Sequence, residues 1–125
     1  MDFKNGSELL YLCRETGLPI SEIMKRREME LSGMAEDGVE IRIGKALAIM
    51  DASAHEPLER EIHSMGGLIG GEARKLEAGS KSGLPLCGSV ITKAITYAMA
   101  VLEVNASMGL IVAAPTAGSS GVLPG

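Results

Sequence analysis

Ser89-Val90-Ile91-Thr92-Lys93-Ala94-Ile95-Thr96-Tyr97-Ala98-Met99-Ala100-Val101-Leu102-Glu103-Val104-Asn105 is apolar on almost every side when wound as a helix. A helix of that kind either crosses a bilayer or forms the centre of a bundle. Lys93 and Glu103 bracket an apolar stretch far short of the roughly 20 residues a bilayer span needs. The stretch is therefore read as the central helix of a soluble bundle, with alanines that let neighbouring helices approach closely.

Upstream, Gly79-Ser80-Lys81-Ser82-Gly83 reads as a flexible loop and as the best internal boundary in the chain. Glu72 to Ala78 suits a short charged helix. Gly66-Gly67-Leu68-Ile69-Gly70-Gly71 places four glycines in six residues, each costing a helix about 1 kcal/mol relative to alanine, so a loop or a close backbone contact is expected. Pro57 is expected to end a third helix or to begin a short one containing Leu58 to Ile62. That third helix, Glu36 to Ala54, carries Val39, Ile43, Ala46, Leu47 and Met50 at the spacing of one buried face. Ser21 is expected to cap a second helix with Ile23, Met24 and Leu31 inward, broken or bent at Gly33. Asn5 or Ser7 caps a first helix, Glu8 completes a capping box with Asn5, and Gly17 closes it before Leu18-Pro19. Alternating β-type patterning is absent except in the short run Leu110 to Val112. The fold class expected is all-α, a helical bundle around a central apolar helix with glycine-rich loops, forming a single domain over residues 1–125.

At 125 residues the chain suits one compact domain with a real core. Apolar residues make up 46%, yet Phe3, Tyr11 and Tyr97 are the only aromatics, so the core must be built from Ala, Leu, Ile, Val and Met. Eight methionines give a soft surface suited to meeting another chain, and self-association into a homo-oligomer is expected. The net charge of −4 is mild, and the longest basic run, Lys25-Arg26-Arg27, is followed by Glu28 and Glu30, which reads as a solvated helix face and argues against nucleic acid. Cys13 and Cys87 lack the spacing of a zinc site and read as two buried, reduced thiols. The N-terminus shows no secretory signal, so the expected compartment is the cytoplasm.

Downstream of the central helix lies Ala114-Pro115-Thr116-Ala117-Gly118-Ser119-Ser120-Gly121, a small-residue loop rich in hydroxyls and glycine, of the kind that brings backbone N–H groups against a small anionic ligand. Together with the helix end it reads E-x-N-A-x-M-G-x-I-V-A-A-P-T-A-G-S-x-G-x-L-P over residues 103–124. This resembles the signature of the iron–sulfur-dependent L-serine dehydratases, in their alpha chain or C-terminal catalytic domain. Ser64-Met65-Gly66-Gly67-Leu68-Ile69-Gly70-Gly71-Glu72-Ala73 is similar to a second stretch of that family, S-x-T-G-L-T-G-G-D-A.

The resemblance implies a lyase that deaminates L-serine to pyruvate and ammonia. A [4Fe–4S] cluster acts as the Lewis acid on the substrate hydroxyl while a protein base removes the α-proton. Two departures matter. Ser120 stands where the family commonly has a cysteine that ligates the cluster, and the family's other cluster cysteines lie beyond the motif in which this chain stops. A hydroxyl is a poor substitute for a soft thiolate. The chain is therefore expected to be the N-terminal part of the alpha-chain domain, binding no cluster and inactive alone. The remainder of the catalytic domain, and a beta subunit where chains are split, are its implied partners.

Each candidate site residue also has an ordinary structural role. His63, beside the glycine segment, is the candidate general base, since its usual pKa is near neutrality; the alternative is a structural or solvated histidine. His55 is explained by a helix end. Asn105 either caps the central helix or reaches the substrate's carboxylate or amino group. Glu103 is either an internal hydrogen-bond acceptor for the loop or an ordinary charge at a helix turn. Thr116, Gly118 and Ser119 either close the domain with a turn or form a nest for a carboxylate or cluster edge, and the family match favours the nest. A reading from a different class remains open: a non-catalytic helical interaction module, or a degenerate paralogue without a cluster, for which Ser120 speaks.

Overall fold

The computed structural model describes residues 2–83 and 85–125. Among them are five α-helices and no strand: α1 (Gly6–Thr16), α2 (Ile20–Ser32), α3 (Glu36–Glu59), α4 (Glu72–Ser82) and α5 (Gly88–Ala106). One turn of 3-10 helix follows at Ala117–Ser119. The all-α expectation holds, and Leu110 to Val112 is irregular rather than extended into a strand. No helix among the described residues is long and apolar enough to cross a membrane. The chain divides into two compact units, one through Lys45 and one from Ala46 onward, with the division inside α3.

In the first unit, α1 packs against α2. Asn5 is the cap of α1: its Oδ1 accepts the Glu8 N–H at 3.0 Å, and its Nδ2 donates to Glu8 Oε1 at 2.9 Å. The other Glu8 oxygen accepts the Lys4 N–H, so one acidic side chain in the first turn holds both sides of the cap. Gly17 ends α1 in the left-handed conformation, as expected. The second helix starts earlier than expected. Pro19, not Ser21, precedes its first turn, with the Pro19 carbonyl accepting from Glu22 and Ile23. Of its expected inward residues only Ile23 is buried, while Met24 and Leu31 are exposed. Lys25 collects Glu36, Glu22 and Glu40 within 2.5–3.4 Å, and this acidic surround, Glu36 foremost, raises its pKa. Arg26 pairs with Glu22 and Arg27 with Asp2, so the basic run is matched by acids of its own unit.

α3 begins at Glu36 as expected but departs from the expected burial in its middle and runs on to Glu59. Val39 is buried, but Ile43 and Leu47 are exposed, Leu47 by 58%, and the deeply buried positions are Ser53, Ala54 and Pro57. Periodicity identifies an apolar stripe, but burial requires a partner for it. Pro57 lies inside the helix instead of ending it. Its ring removes one bond, to the Ser53 carbonyl, within a turn of the helix end, and the buried environment of Ser53, Ala54 and Pro57 sustains the last turn. His55 consequently sits within α3, its Nδ1 2.9 Å from the Asp51 carbonyl and its ring centroid 5.0 Å from that of Tyr97.

In the second unit α4 packs against α5. α4 continues through Ser82, so the expected Gly79–Gly83 linker is mostly helix. Ser80 and Ser82 turn their hydroxyls onto the carbonyls of Glu77 and Gly79, and the contact with α5 overrides the low helix propensity of the segment. Ala54, Ile62, Ala73, Ala100, Val101 and Val104 form the core. α5 is buried mainly in its second half, at Thr96, Ala100, Val101, Glu103 and Val104, whereas Val90 is 80% exposed and Ile91 and Ile95 also face outward. Both cysteines are free thiols, but neither is deeply buried: Cys13 is half-buried, and Cys87 is exposed because it caps α5 at the solvent.

Two outcomes are expected. Asn5→Ala should lower stability by about 1 kcal/mol in denaturant unfolding, and Asn5→Asp should restore most of it, because an N-cap needs an acceptor oxygen. Glu22, held low by Arg26 and then Lys25, and Glu72, held low by its own N–H and then that of Gly70, both sit below the usual 4.5. Groups depressed in the folded state stabilise it fully above that value and lose the contribution as pH falls through the folded one. Unfolding midpoints should therefore drop on acidification below about 4.5, and Glu22→Gln should flatten that drop; an unchanged acid profile in the variant contradicts the assignment.

Candidate functional site

The sequence motifs meet at the C-terminal end of α5. A small-residue helix end leaves carbonyls without intrahelical partners, and here they are taken by incoming loops. Ser107 and Gly109 donate to Glu103 and Val104, closing the helix, and Met108 adopts a left-handed φ of 62° to turn the chain. The Ala106 carbonyl accepts the Met65 N–H at 3.3 Å, which attaches the glycine segment to the helix end.

That segment is a closed loop. Ser64 N–H donates to the Ile69 carbonyl at 2.8 Å and Ser64 Oγ accepts the Ile69 N–H at 3.0 Å. Gly70 has φ of 155°, and a Cβ there would collide with the Ile62 carbonyl and come 3.0 Å from His63 Nδ1. The glycine is thus required for the loop to fold back over its own entry. Gly70 N–H donates to Glu72 Oε2 at 2.7 Å, and Ala73 N–H donates to Glu103 Oε1 at 2.8 Å. Glu103 is 1% exposed, and its Oε2 has no hydrogen-bond partner.

The hydroxyl loop reaches the same helix end from the other side. Ala114–Pro115 is a cis peptide bond, after which Thr116 and Ser119 cap one another: Ser119 Oγ accepts the Thr116 N–H at 3.2 Å and lies 3.0 Å from Thr116 Oγ1. Asn105 Nδ2 donates to the Ala117 carbonyl at 3.3 Å. Ser120, 3% exposed, donates to that same carbonyl at 2.7 Å. Gly121 lies so close to α5 that a Cβ would stand 2.8 Å from the Ala98 carbonyl. A cavity of about 250 Å³ remains between loop and helix, lined by Met99, Leu102, Gly118, Ser120, Gly121 and neighbours.

Of the expected site residues, Asn105, Thr116, Gly118, Ser119 and Ser120 therefore fall in one place. The Asn105 side chain bonds across to the loop and not to the backbone of its own helix. The expected nest is narrower than the motif suggests, because the Thr116 and Ser119 hydroxyls bond to each other and the N–H groups of Ser119 and Ser120 are used within the turn. His63 is not joined to this group by any hydrogen bond among the described residues; its side chain is 65% exposed and its Nε2 lies 3.4 Å from Glu61. Glu103 accepts from the start of α4, not from the hydroxyl loop. Glu72, expected only as the start of a helix, also accepts the Gly70 N–H and so anchors the loop. A carboxylate directly after Gly-Gly in a first helical turn is the signal that marks it as a loop anchor.

The donor set does not fit an iron–sulfur cluster. The loop offers Ser120 Oγ, already committed to a carbonyl, and no thiolate. Cys13 belongs to the other compact unit, and Cys87 caps the start of the 19-residue α5, while Ser120 lies against its second half. No group of three or more His, Cys, Asp or Glu side chains among the described residues is placed to hold a metal ion.

Comparison with known proteins agrees with the motifs. Residues 15–125 match the family described as serine dehydratase alpha chain. The chain is 41% identical to a probable L-serine dehydratase alpha chain of Bacillus subtilis, covering 98% of this chain and 41% of that protein. It is 35% identical to an L-serine dehydratase alpha chain of Peptoniphilus asaccharolyticus, covering 94% of this chain and 40% of that one. An L-serine dehydratase of Streptomyces coelicolor is 37% identical over 98% of this chain and 27% of its own length. No solved structure matches significantly. The chain spans about two-fifths of the length of the first two of these relatives. With the match covering nearly all of the chain and the motif residues gathered at one helix end, this protein belongs to the serine dehydratase alpha chain family.

Proposed function

We propose that this chain is the part of an L-serine dehydratase that binds and orients L-serine at the C-terminal end of α5, within an enzyme converting L-serine to pyruvate and ammonia. The observation that carries the reading is the bond from Asn105 to the Ala117 carbonyl, which joins the helix end to the hydroxyl loop that resembles the family stretch at every position but Ser120. Asn105 Oδ1, Thr116, Gly118 and Ser119 border the place where the substrate's carboxylate and ammonium groups are to be held. In the reaction the α-proton and the β-hydroxyl leave the substrate as water, and the resulting enamine takes up water to give pyruvate and ammonia. His63 is the candidate for removing the α-proton, since imidazole changes charge near neutral pH and its ring lies at the entry to the glycine segment.

Polarising the departing hydroxyl is the cluster's part in the family resemblance, and the residues of this chain do not supply its ligands. That part, with catalysis as a whole, belongs to an assembly with the remainder of the alpha-chain domain and a beta subunit, in the cytoplasm; alone, the chain is inactive. The many uncovered apolar side chains, among them Val90, Ile91, Leu110 and Leu123, support such partners and self-association. One observation favours a second reading, a cluster-free paralogue acting as a helical module: the hydroxyl of Ser120 at the family's ligand position.

Titrating the isotope-labelled chain with L-serine is expected to shift the amide signals of Asn105 and Thr116 to Gly121, and Asn105→Ala is expected to abolish the shifts. Shifts elsewhere only, or none, overturn the binding role and leave the module. Anaerobic treatment with iron and sulfide is expected to leave the chain colourless; a stoichiometric cluster in the visible spectrum contradicts the reading of Ser120.

A further inference from the structure

A second cavity, of about 280 Å³, lies along the first half of α5, within the second compact unit. Its walls are Leu58 at the end of α3, Glu77 and Lys81 of α4, and Ser89, Lys93 and Tyr97 of α5, and it shares no residue with the cavity beside the hydroxyl loop. The charges around it do not balance. Glu77 Oε1 accepts from Lys81 Nζ at 3.0 Å, one turn along α4, and those two charges cancel. Lys93 has no carboxylate partner among the described residues. Its Nζ stands 5.5 Å from the Tyr97 ring centroid, a cation–π contact that holds the ammonium at the cavity wall without neutralising it. Ser80 and Thr96 spend their hydroxyls on the carbonyls of Glu77 and Thr92, whereas the Ser89 hydroxyl makes no hydrogen bond within the described residues. Ser89 and Lys93 are four residues apart and so share one face of α5.

We propose that this cavity binds a small monocarboxylate, its oxygens taken by Lys93 Nζ and Ser89 Oγ and its apolar body lying against Leu58, Pro85 and the Tyr97 ring. One unpaired positive charge matches a monoanion. A phosphate group carries about −1.5 to −2 charges at neutral pH and leaves a surplus of negative charge against apolar walls, which is costly. The volume stands at the lower limit for ligand pockets and suits a body of a few carbons. Occupancy ties the last turns of α4 to the first turns of α5, and a ligand that binds only the folded chain stabilises it.

Titration of the isotope-labelled chain with sodium butyrate, against sodium chloride at equal ionic strength, tests the site. Saturable shifts are expected at the amides of Glu77 to Lys81 and Ser89 to Tyr97, with Thr116 to Gly121 unmoved, and butyrate is expected to raise the unfolding midpoint. Lys93→Gln, at a surface position that the fold does not depend on, is expected to weaken binding by about tenfold or more, the effect of losing a hydrogen bond to a charged group. Shifts that chloride reproduces, that persist at full strength in Lys93→Gln or that fall on the hydroxyl loop instead overturn the proposal. So does inorganic phosphate binding as tightly as butyrate. Serine is absent from every arm, so this site and the serine-binding reading fail separately.

Discussion

A carboxyl inside a packed helix end cannot be left to itself, and the second compact unit is arranged around meeting that demand. Glu103 lies on the buried side of α5 between Val101 and Val104, almost wholly withdrawn from solvent. Ala73 at the start of α4 comes to it with a backbone N–H. The glycine segment must then fold tightly enough to deliver α4 at that point, which is why Gly70 sits where no side chain fits. The loop, the start of α4 and the end of α5 behave as one unit because they share buried hydrogen bonds and not merely apolar contact.

The hydroxyl loop uses the same helix end but a different device. Its hydroxyls satisfy one another, Gly121 allows the backbone to touch α5, and Asn105 spans the gap to Ala117. Beside these contacts a small cavity remains between the loop and α5, lined by Met99, Leu102, Gly118 and Ser120 among others. Ser120 fits this arrangement. A buried serine bonded to a carbonyl strengthens the turn, whereas a thiolate at the same point would need a soft metal to justify its burial. The loop at this helix end thus offers hydroxyl and backbone groups and no thiolate.

The first unit is held in another way. Few of its residues are fully buried, and its helices are defined by their caps and by ion pairs centred on Lys25. Exposed pairs of that kind contribute little individually and are screened by salt. Its apolar residues of α2 and α3 that remain outward, Met24, Leu31, Ile41 and Ile43, contrast with the close packing at the end of α5.

What the sequence by itself determined was local and chemical: an all-α fold over the described residues, the Asn5–Glu8 cap, the stop at Gly17, a loop at Gly66–Gly71, and the motif residues Asn105, Thr116, Gly118, Ser119 and Ser120. These follow from hydrogen bonding and backbone preference within a few residues, which spacing alone exposes. What only the tertiary structure decided was which apolar faces are covered and which polar groups meet. Pro57 stays helical, Gly79 to Ser82 joins α4, Leu47 faces outward, and Glu103 finds residues thirty positions upstream in the chain. Burial and long-range hydrogen bonds depend on a partner surface, and no periodicity within one segment encodes the identity of the segment that will cover it.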